Sequence, residues 1–178
     1  MRETGILIMS GTVIVWGFYA AEKWKERLKV LLLFSRIVCC LKSRILYANS
    51  ALPEALAEAG LQYSGERSGN LAEPGAFFRR VSERMEKEKD RPFSELWKEE
   101  IEKLPQDLPM GRADRQNLAE LGEALGYADR GMQEKTLDFY LEQTDESAKR
   151  LKAECADRVK LYRALGMAAG LFILVVLA

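Results

Sequence analysis

The side chains of this 178-residue chain that could do chemistry are three cysteines, several runs of carboxylates, a group of glycines and two serines. Histidine is absent, which excludes Ser-His and Cys-His nucleophile pairs and any metal site with an imidazole ligand. Cys39 and Cys40 are adjacent and Cys155 is far away, so no Cys-x-x-Cys spacing exists for zinc or dithiol exchange. Neighbouring helical residues point about 100° apart, so the pair cannot close on one ion. The three thiols read as reduced, buried, small apolar side chains in a reducing compartment. The carboxylates Glu83, Glu86, Glu88 and Asp90, and then Glu95, Glu99, Glu100 and Glu102, are interleaved with Lys and Arg. That pattern describes charge-laced solvent faces better than a general acid and base. Gly122, Gly126 and Gly131 have the wrong spacing for a phosphate-binding loop and follow no strand, and Ser64 and Ser68 have no base partner. The reading is a non-enzymatic protein with no catalytic, cofactor-binding or metal-ligating residues.

The elements that must position everything else are set by charge and hydropathy. Lysine plus arginine and aspartate plus glutamate are equal at 27 each, but unevenly placed. Residues 1–50 carry eight basic and three acidic side chains, residues 51–150 fifteen and 22, and residues 151–178 four and two. An acidic middle between basic flanks does not suit a nucleic acid partner, which demands clustered excess Lys and Arg. Residues 5–21 and 164–178 contain no charge. A bilayer core about 30 Å thick needs roughly 20 helical residues, so both stretches are short spans, extended by snorkelling Lys23 and Arg163. Trp16, Tyr19, Trp24 and Tyr162 fit interfacial aromatic belts. A cleaved leader fits the first stretch poorly: the side chains three before a cut after Ala20 or Ala21 are Phe18 or Tyr19, too large. A buried core helix is the alternative for the second. Lys23, Lys25, Arg27 and Lys29 follow the first span, and Lys149, Arg150, Lys152, Arg158, Lys160 and Arg163 precede the second. The positive-inside rule therefore places residues 22–163 in the cytoplasm and both termini outside.

Between the spans the pattern predicts only helices. Alternating β-branched runs are absent. The first span is expected to continue into a stripe through Leu31, Leu32, Val38, Ile45 and Leu46. Ser50 is a candidate N-cap with Pro53 in the first turn, and Gly60 a candidate stop. Residues 61–73 read as a loop. Pro74 opens a helix with Phe77, Phe78, Val81 and Met85, to about Asp90. Ser94 is a candidate cap for a helix with Leu96, Trp97, Ile101 and Leu104, ended by Pro105 and Pro109. Another helix spans about Asp114 to Leu125. The last is very long, with a seam at Leu137, Leu141, Thr144, Ala148, Leu151, Cys155, Val159 and Tyr162. The fold expected is all-α: an antiparallel helical bundle with an N-terminal and a C-terminal transmembrane helix, and four short helices capping the far end of the long pair. Gly166 and Gly170 form a GxxxG, and Gly11 and Gly17 recur in the first span; both sets are candidates for membrane helix packing and for a homo-oligomer.

Three motifs resemble those of the stage III sporulation protein AB family. They are Ile45-Leu46-Tyr47 followed by Ser50-Ala51-Leu52-Pro53-Glu54-Ala55-Leu56; Leu121-Gly122-Glu123-Ala124-Leu125-Gly126 with Asp129, Gln133 and Lys135; and Lys160-Leu161-Tyr162-Arg163-Ala164-Leu165-Gly166 with Gly170-Leu171. Trp97 matches a tryptophan usual in the middle region. Lys42 and Arg44 stand where the family usually has acidic residues, and Ala51 where a proline is expected. The resemblance implies a small integral membrane protein in the mother-cell to forespore channel apparatus of endospore formation, on the mother-cell side of the outer forespore membrane. It implies a secretion-platform-like bundle, similar to those of type II secretion and type IV pilus systems. It implies a cytoplasmic secretion-type ATPase and other stage III sporulation membrane proteins as partners.

A helical rod rooted in lipid can pass force from a cytoplasmic partner to membrane components. Phe77, Phe78, Trp97, Glu99 and Glu100 are the candidate partner contacts, with charge steering and aromatic anchors. Reversing Glu99 and Glu100 to Lys is expected to weaken ATPase binding, more at low salt. The alternatives are a pilus or type II secretion platform outside sporulation, and a membrane-tethered helical regulatory adaptor.

Overall fold

The computed structural model describes residues 2–64, 69–127 and 129–177, with side chains over 23–64, 69–126, 129–157 and at Leu161. The described residues hold no strand. The helices are α1 (Arg2–Leu46), α2 (Leu52–Ser64), α3 (Glu73–Lys87), α4 (Phe93–Glu102), α5 (Arg112–Tyr127) and α6 (Arg130–Leu177), with a 3₁₀ turn at Gly69–Leu71. The first and last helices are continuous, as the unbroken periodicity requires. No helix among the described residues is long and apolar enough to cross a membrane. The expected spans 5–21 and 164–178 lie outside the described side chains.

Leucine and alanine positions on α6 bury against α1. Leu31 packs with Ala148 and Leu151, and Lys42 Nζ lies 2.6 Å from Asp138 Oδ1. Rising numbers on α1 therefore meet falling numbers on α6, and the pair is antiparallel. Lys23 and Asp157 come to one end of the bundle, called basal here. The α6 seam is buried at Leu137, Thr144, Ala148 and Leu151 and half-buried at Leu141 and Cys155.

The short helices do not cap the far end of this pair. Each reverses direction; α2 and α3 run beside α1, α5 beside α6, and α4 packs on α3 and α5. Ser82 Oγ donates to Pro53 O (2.7 Å), which sets α3 antiparallel to α2. Asp114, at the start of α5, is 2.8 Å from Arg27 Nη2, at the basal end. Gln133 donates to Leu125 O at the far end. The result is an up-and-down bundle whose core gathers Val30, Phe34, Ile37, Val38 and Leu41 of α1 with apolar side chains of every other helix.

Three local expectations change. Gly60 does not stop α2, which continues to Ser64. A Cβ there would lie 2.8 Å from Gly75 O and 2.9 Å from Arg79 N, so Gly60 is the point where α2 and α3 cross closely. Ser50 belongs to the end of α1: Asn49 takes a left-handed φ of 58° and Ser50 N–H donates to Arg44 O (3.2 Å). Ser94 lies inside the first turn of α4. Pro92 precedes that helix, and its carbonyl accepts from Glu95 and Leu96 N–H.

Candidate functional site

The three expected aromatic anchors are core residues. Phe77, Phe78 and Trp97 are 0% exposed and pack in edge-to-face contacts, with Phe34 of α1 beside both phenylalanines. They cannot meet a partner on this fold. Trp97 Nε1 donates to Leu118 O at 2.8 Å. Its indole lies against Gly122, where a Cβ would overlap the five-membered ring. The glycine in Leu121-Gly122-Glu123 thus has a packing reason: α5 must expose bare backbone to seat the ring.

Glu100 is also buried, at 2% side-chain exposure, and is ringed by Lys103 Nζ (2.7 Å), Arg80 Nε (2.9 Å) and Arg84 Nη1 (3.2 Å). Burial opposes its charge, and these cations outweigh burial, holding its carboxyl below the usual range. Glu99 is half-exposed and bonds to Arg91 and Arg84. Those hydrogen bonds bring it to about 2. Glu88 is drawn down to about 2 by Arg84 and then Arg91. Of the carboxylates read as solvent-face charges, Glu88, Glu95, Glu99 and Glu100 are therefore the acidic half of a lattice joining α3 to α4, while Glu83, Glu86, Asp90 and Glu102 are exposed as expected. Reversing Glu100 would break that lattice, so it does not test docking. The sequence signal for the lattice was only the alternation of Arg80, Arg84 and Arg91 with the glutamates.

The basic pair at the first motif is engaged within the chain. Lys42 bonds to Asp138 and sits 3.7 Å from Glu134, and the Asp138 hydrogen bond raises its pKa. Arg44 pairs with Glu58 of α2. These contacts join α1 to α6 and α2. Cys39 is exposed, contrary to the buried reading, and the three cysteines are free thiols. Cys40 Sγ donates to Gln62 Oε1 (3.2 Å). Among the described residues no three carboxylates or thiols could hold a metal ion. Gly11, Gly17, Gly166 and Gly170 lie outside the described side chains.

A groove of about 290 Å³ lies between α5 and α6, which sequence reasoning did not single out. Leu121 and Tyr140 form part of its floor; Asn117, Glu120, Phe139 and Gln143 border it. Burial raises the Tyr140 hydroxyl well above the usual phenol range. Phe139 and Met132, two turns apart on α6, are more than half exposed. Nothing in the groove is a nucleophile with a base. Its apolar floor and charged rim suit a macromolecular contact.

Comparison with known proteins agrees with the residue motifs. Residues 3–178 match the family described as stage III sporulation protein AB. The stage III sporulation protein AB of Bacillus subtilis (strain 168) is 25% identical over 162 residues, covering 90% of each chain. No solved structure matches.

Proposed function

The chain belongs to the stage III sporulation protein AB family, and we propose that it is a non-enzymatic membrane platform in the mother-cell to forespore channel apparatus, docking a cytoplasmic secretion-type ATPase. A role in sporulation follows from the family itself. The observation that carries the platform reading is the α1–α6 register. It brings Lys23 and Asp157 to the same end of the bundle, next to the charge-free stretches 5–21 and 164–178. A hairpin of two long helices with both apolar ends on one side is the geometry of a domain standing on two membrane legs.

Helices α2, α3 and α5 brace that hairpin along its length, with α4 packed on α3 and α5. Arg27–Asp114 and Asn70–Glu26 tie the basal ends of α5 and the 3₁₀ turn to α1. Such bracing lets the bundle move as one body when a partner pushes on its far end, where Lys89, Asp90 and Arg130 are exposed.

The test is alkaline extraction of membranes from sporulating cells, followed by capture of the tagged full chain in mild detergent. Retention in the membrane pellet and recovery of a secretion-type ATPase with other stage III membrane proteins are expected. Release by alkali, or capture without any such ATPase, refutes the reading.

A further inference from the structure

We infer that the α4–α5 turn and the start of α5 rest on an anionic phospholipid surface, giving the bundle a third support beside its two long helices. The inference rests on the membrane-anchored reading, which brings the basal end to the bilayer.

Height is the first argument. The charge-free stretch of α1 ends at residue 21, and Arg27 stands six residues further on, about 9 Å along the helix. Asp114 is held on Arg27, and a Cβ at Gly111 would overlap the Arg27 guanidinium. The start of α5 therefore lies at that height, with Arg112 and the turn before it at the basal end. Headgroups occupy roughly 5–8 Å on each side of the hydrocarbon core. The charge-free residues 5–21 span about 26 Å, less than the core thickness, so the bilayer surface rises further toward the turn. Trp24 carries the Arg27 guanidinium 5.9 Å above its ring, at the level where interfacial tryptophans sit. The gap left between turn and headgroups is on the order of a few ångströms. A folded acidic protein does not fit in it, whereas lipid already borders it.

Charge agrees with height. Residues 22–29, 102–115 and 152–163, which the helix directions gather at the base, carry eleven basic and seven acidic side chains. Residues 42–54, 86–95 and 123–138, gathered at the far end, carry seven and nine. The bundle is thus polarised along its axis, positive end toward lipid. Two basal carboxylates are engaged inside the chain, Asp114 on Arg27 and Glu26 on the Asn70 amide. Glu102, Asp107, Glu154 and Asp157 are exposed, and the base stays net positive with them counted. The segment 65–73 adds little: Glu66 and Arg67 cancel in sequence, and Glu73 pairs with Arg80. Lys29, Arg112 and Lys152 are exposed, without an ion-pair partner among the described residues. Each Lys or Arg close to an anionic leaflet is worth roughly fivefold in affinity, over a distance of about 8 Å in physiological salt.

The test uses the full chain in alkali-washed phosphatidylcholine vesicles, with or without phosphatidylglycerol. Cys39→Ser, Cys40→Ser and Cys155→Ser remove the native thiols, and Gln106→Cys carries a fluorophore on the exposed turn. A lipid with a nitroxide on its headgroup quenches whatever lies at the surface. Quenching at residue 106 is expected with phosphatidylglycerol and is largely lost without it or at about 1 M salt. A fluorophore on Lys89→Cys, at the far end, stays bright. Arg112→Glu should lower the docked-to-free ratio by about tenfold or more; it places an acidic residue in the first turn of α5, which favours the helix. Vesicle-retained protein with residue 106 unquenched overturns the docking and leaves the anchoring intact. Quenching indifferent to phosphatidylglycerol, or to Arg112→Glu, also overturns it. Protein that leaves the vesicles on alkaline washing removes the anchoring and the docking together.

Discussion

Gly122→Ala should destabilise the bundle, although the same change in an open helix stabilises. Replacing glycine in a helix interior by alanine ordinarily gains about 0.5–1 kcal/mol, because the unfolded chain loses freedom. At Gly122 the new methyl would overlap the Trp97 indole, which is itself fully buried. Relieving that overlap by shifting α5 from α4 costs about 1–3 kcal/mol, as overpacking does elsewhere. The shift also strains the 2.8 Å bond from Trp97 Nε1 to Leu118 O, a contribution of ~1 kcal/mol. The net change is a loss of about 2 kcal/mol. With a urea dependence near 2 kcal/mol per molar, the unfolding midpoint should fall by about 1 M. The assay is urea unfolding of the full chain in detergent, followed by far-ultraviolet circular dichroism. Gly131→Ala is the reference, since its site is open apart from Asp129 at 3.5 Å, and it should leave the midpoint level or raise it. In a Trp97→Ala background, Gly122→Ala should lose its penalty and become mildly stabilising. A midpoint that rises with Gly122→Ala alone would mean that the indole is not seated on that glycine.

The α3–α4 charge lattice sets an acid limit. Glu88 and Glu99 are held at about 2, below the ordinary 4.5, so their stabilising effect is present above pH ~4.5 and disappears as pH falls toward 2. The unfolding midpoint should therefore drop over that window, and Arg84→Gln should flatten the drop; a pH-independent midpoint there contradicts the lattice. Asp114→Ala should cost about 1 kcal/mol, because Asp114 Oδ2 accepts from Gly111 N–H (2.9 Å) at the start of α5 and from Arg27. Asp114→Asn should recover part of it, and equal midpoints for all three proteins would show that this end needs no such cap. Lys42→Glu should lower the thermal midpoint by opposing Asp138 and Glu134, with Asp138→Lys restoring it; failure of the exchanged pair to recover would argue against the α1–α6 register.

The amino-acid sequence alone determined much of this protein. Helical periodicity without alternating strands specified an all-α chain, and the unbroken 3–4 spacing from Leu137 to Leu151 specified one long final helix with one buried side. The motif around Leu121-Gly122-Glu123 was legible as a family feature, and the membership holds across residues 3–178. These are properties of neighbouring residues, which periodicity and motif both encode. What the tertiary structure decided depends on residues brought together from distant positions. Gly60 looked like a helix stop because local rules see only a flexible residue, whereas its use is a crossing with Gly75, fifteen positions on. Phe77, Phe78 and Trp97 could be anchors or core on composition alone, and only the placement of Phe34 and Gly122 beside them makes them core. Glu100 looked like its exposed neighbours until the antiparallel reversal of α3 and α4 surrounded it with Arg80 and Arg84. The groove between α5 and α6 has no signal in either helix by itself, because a concavity belongs to the distance between two helices and not to the residues of one.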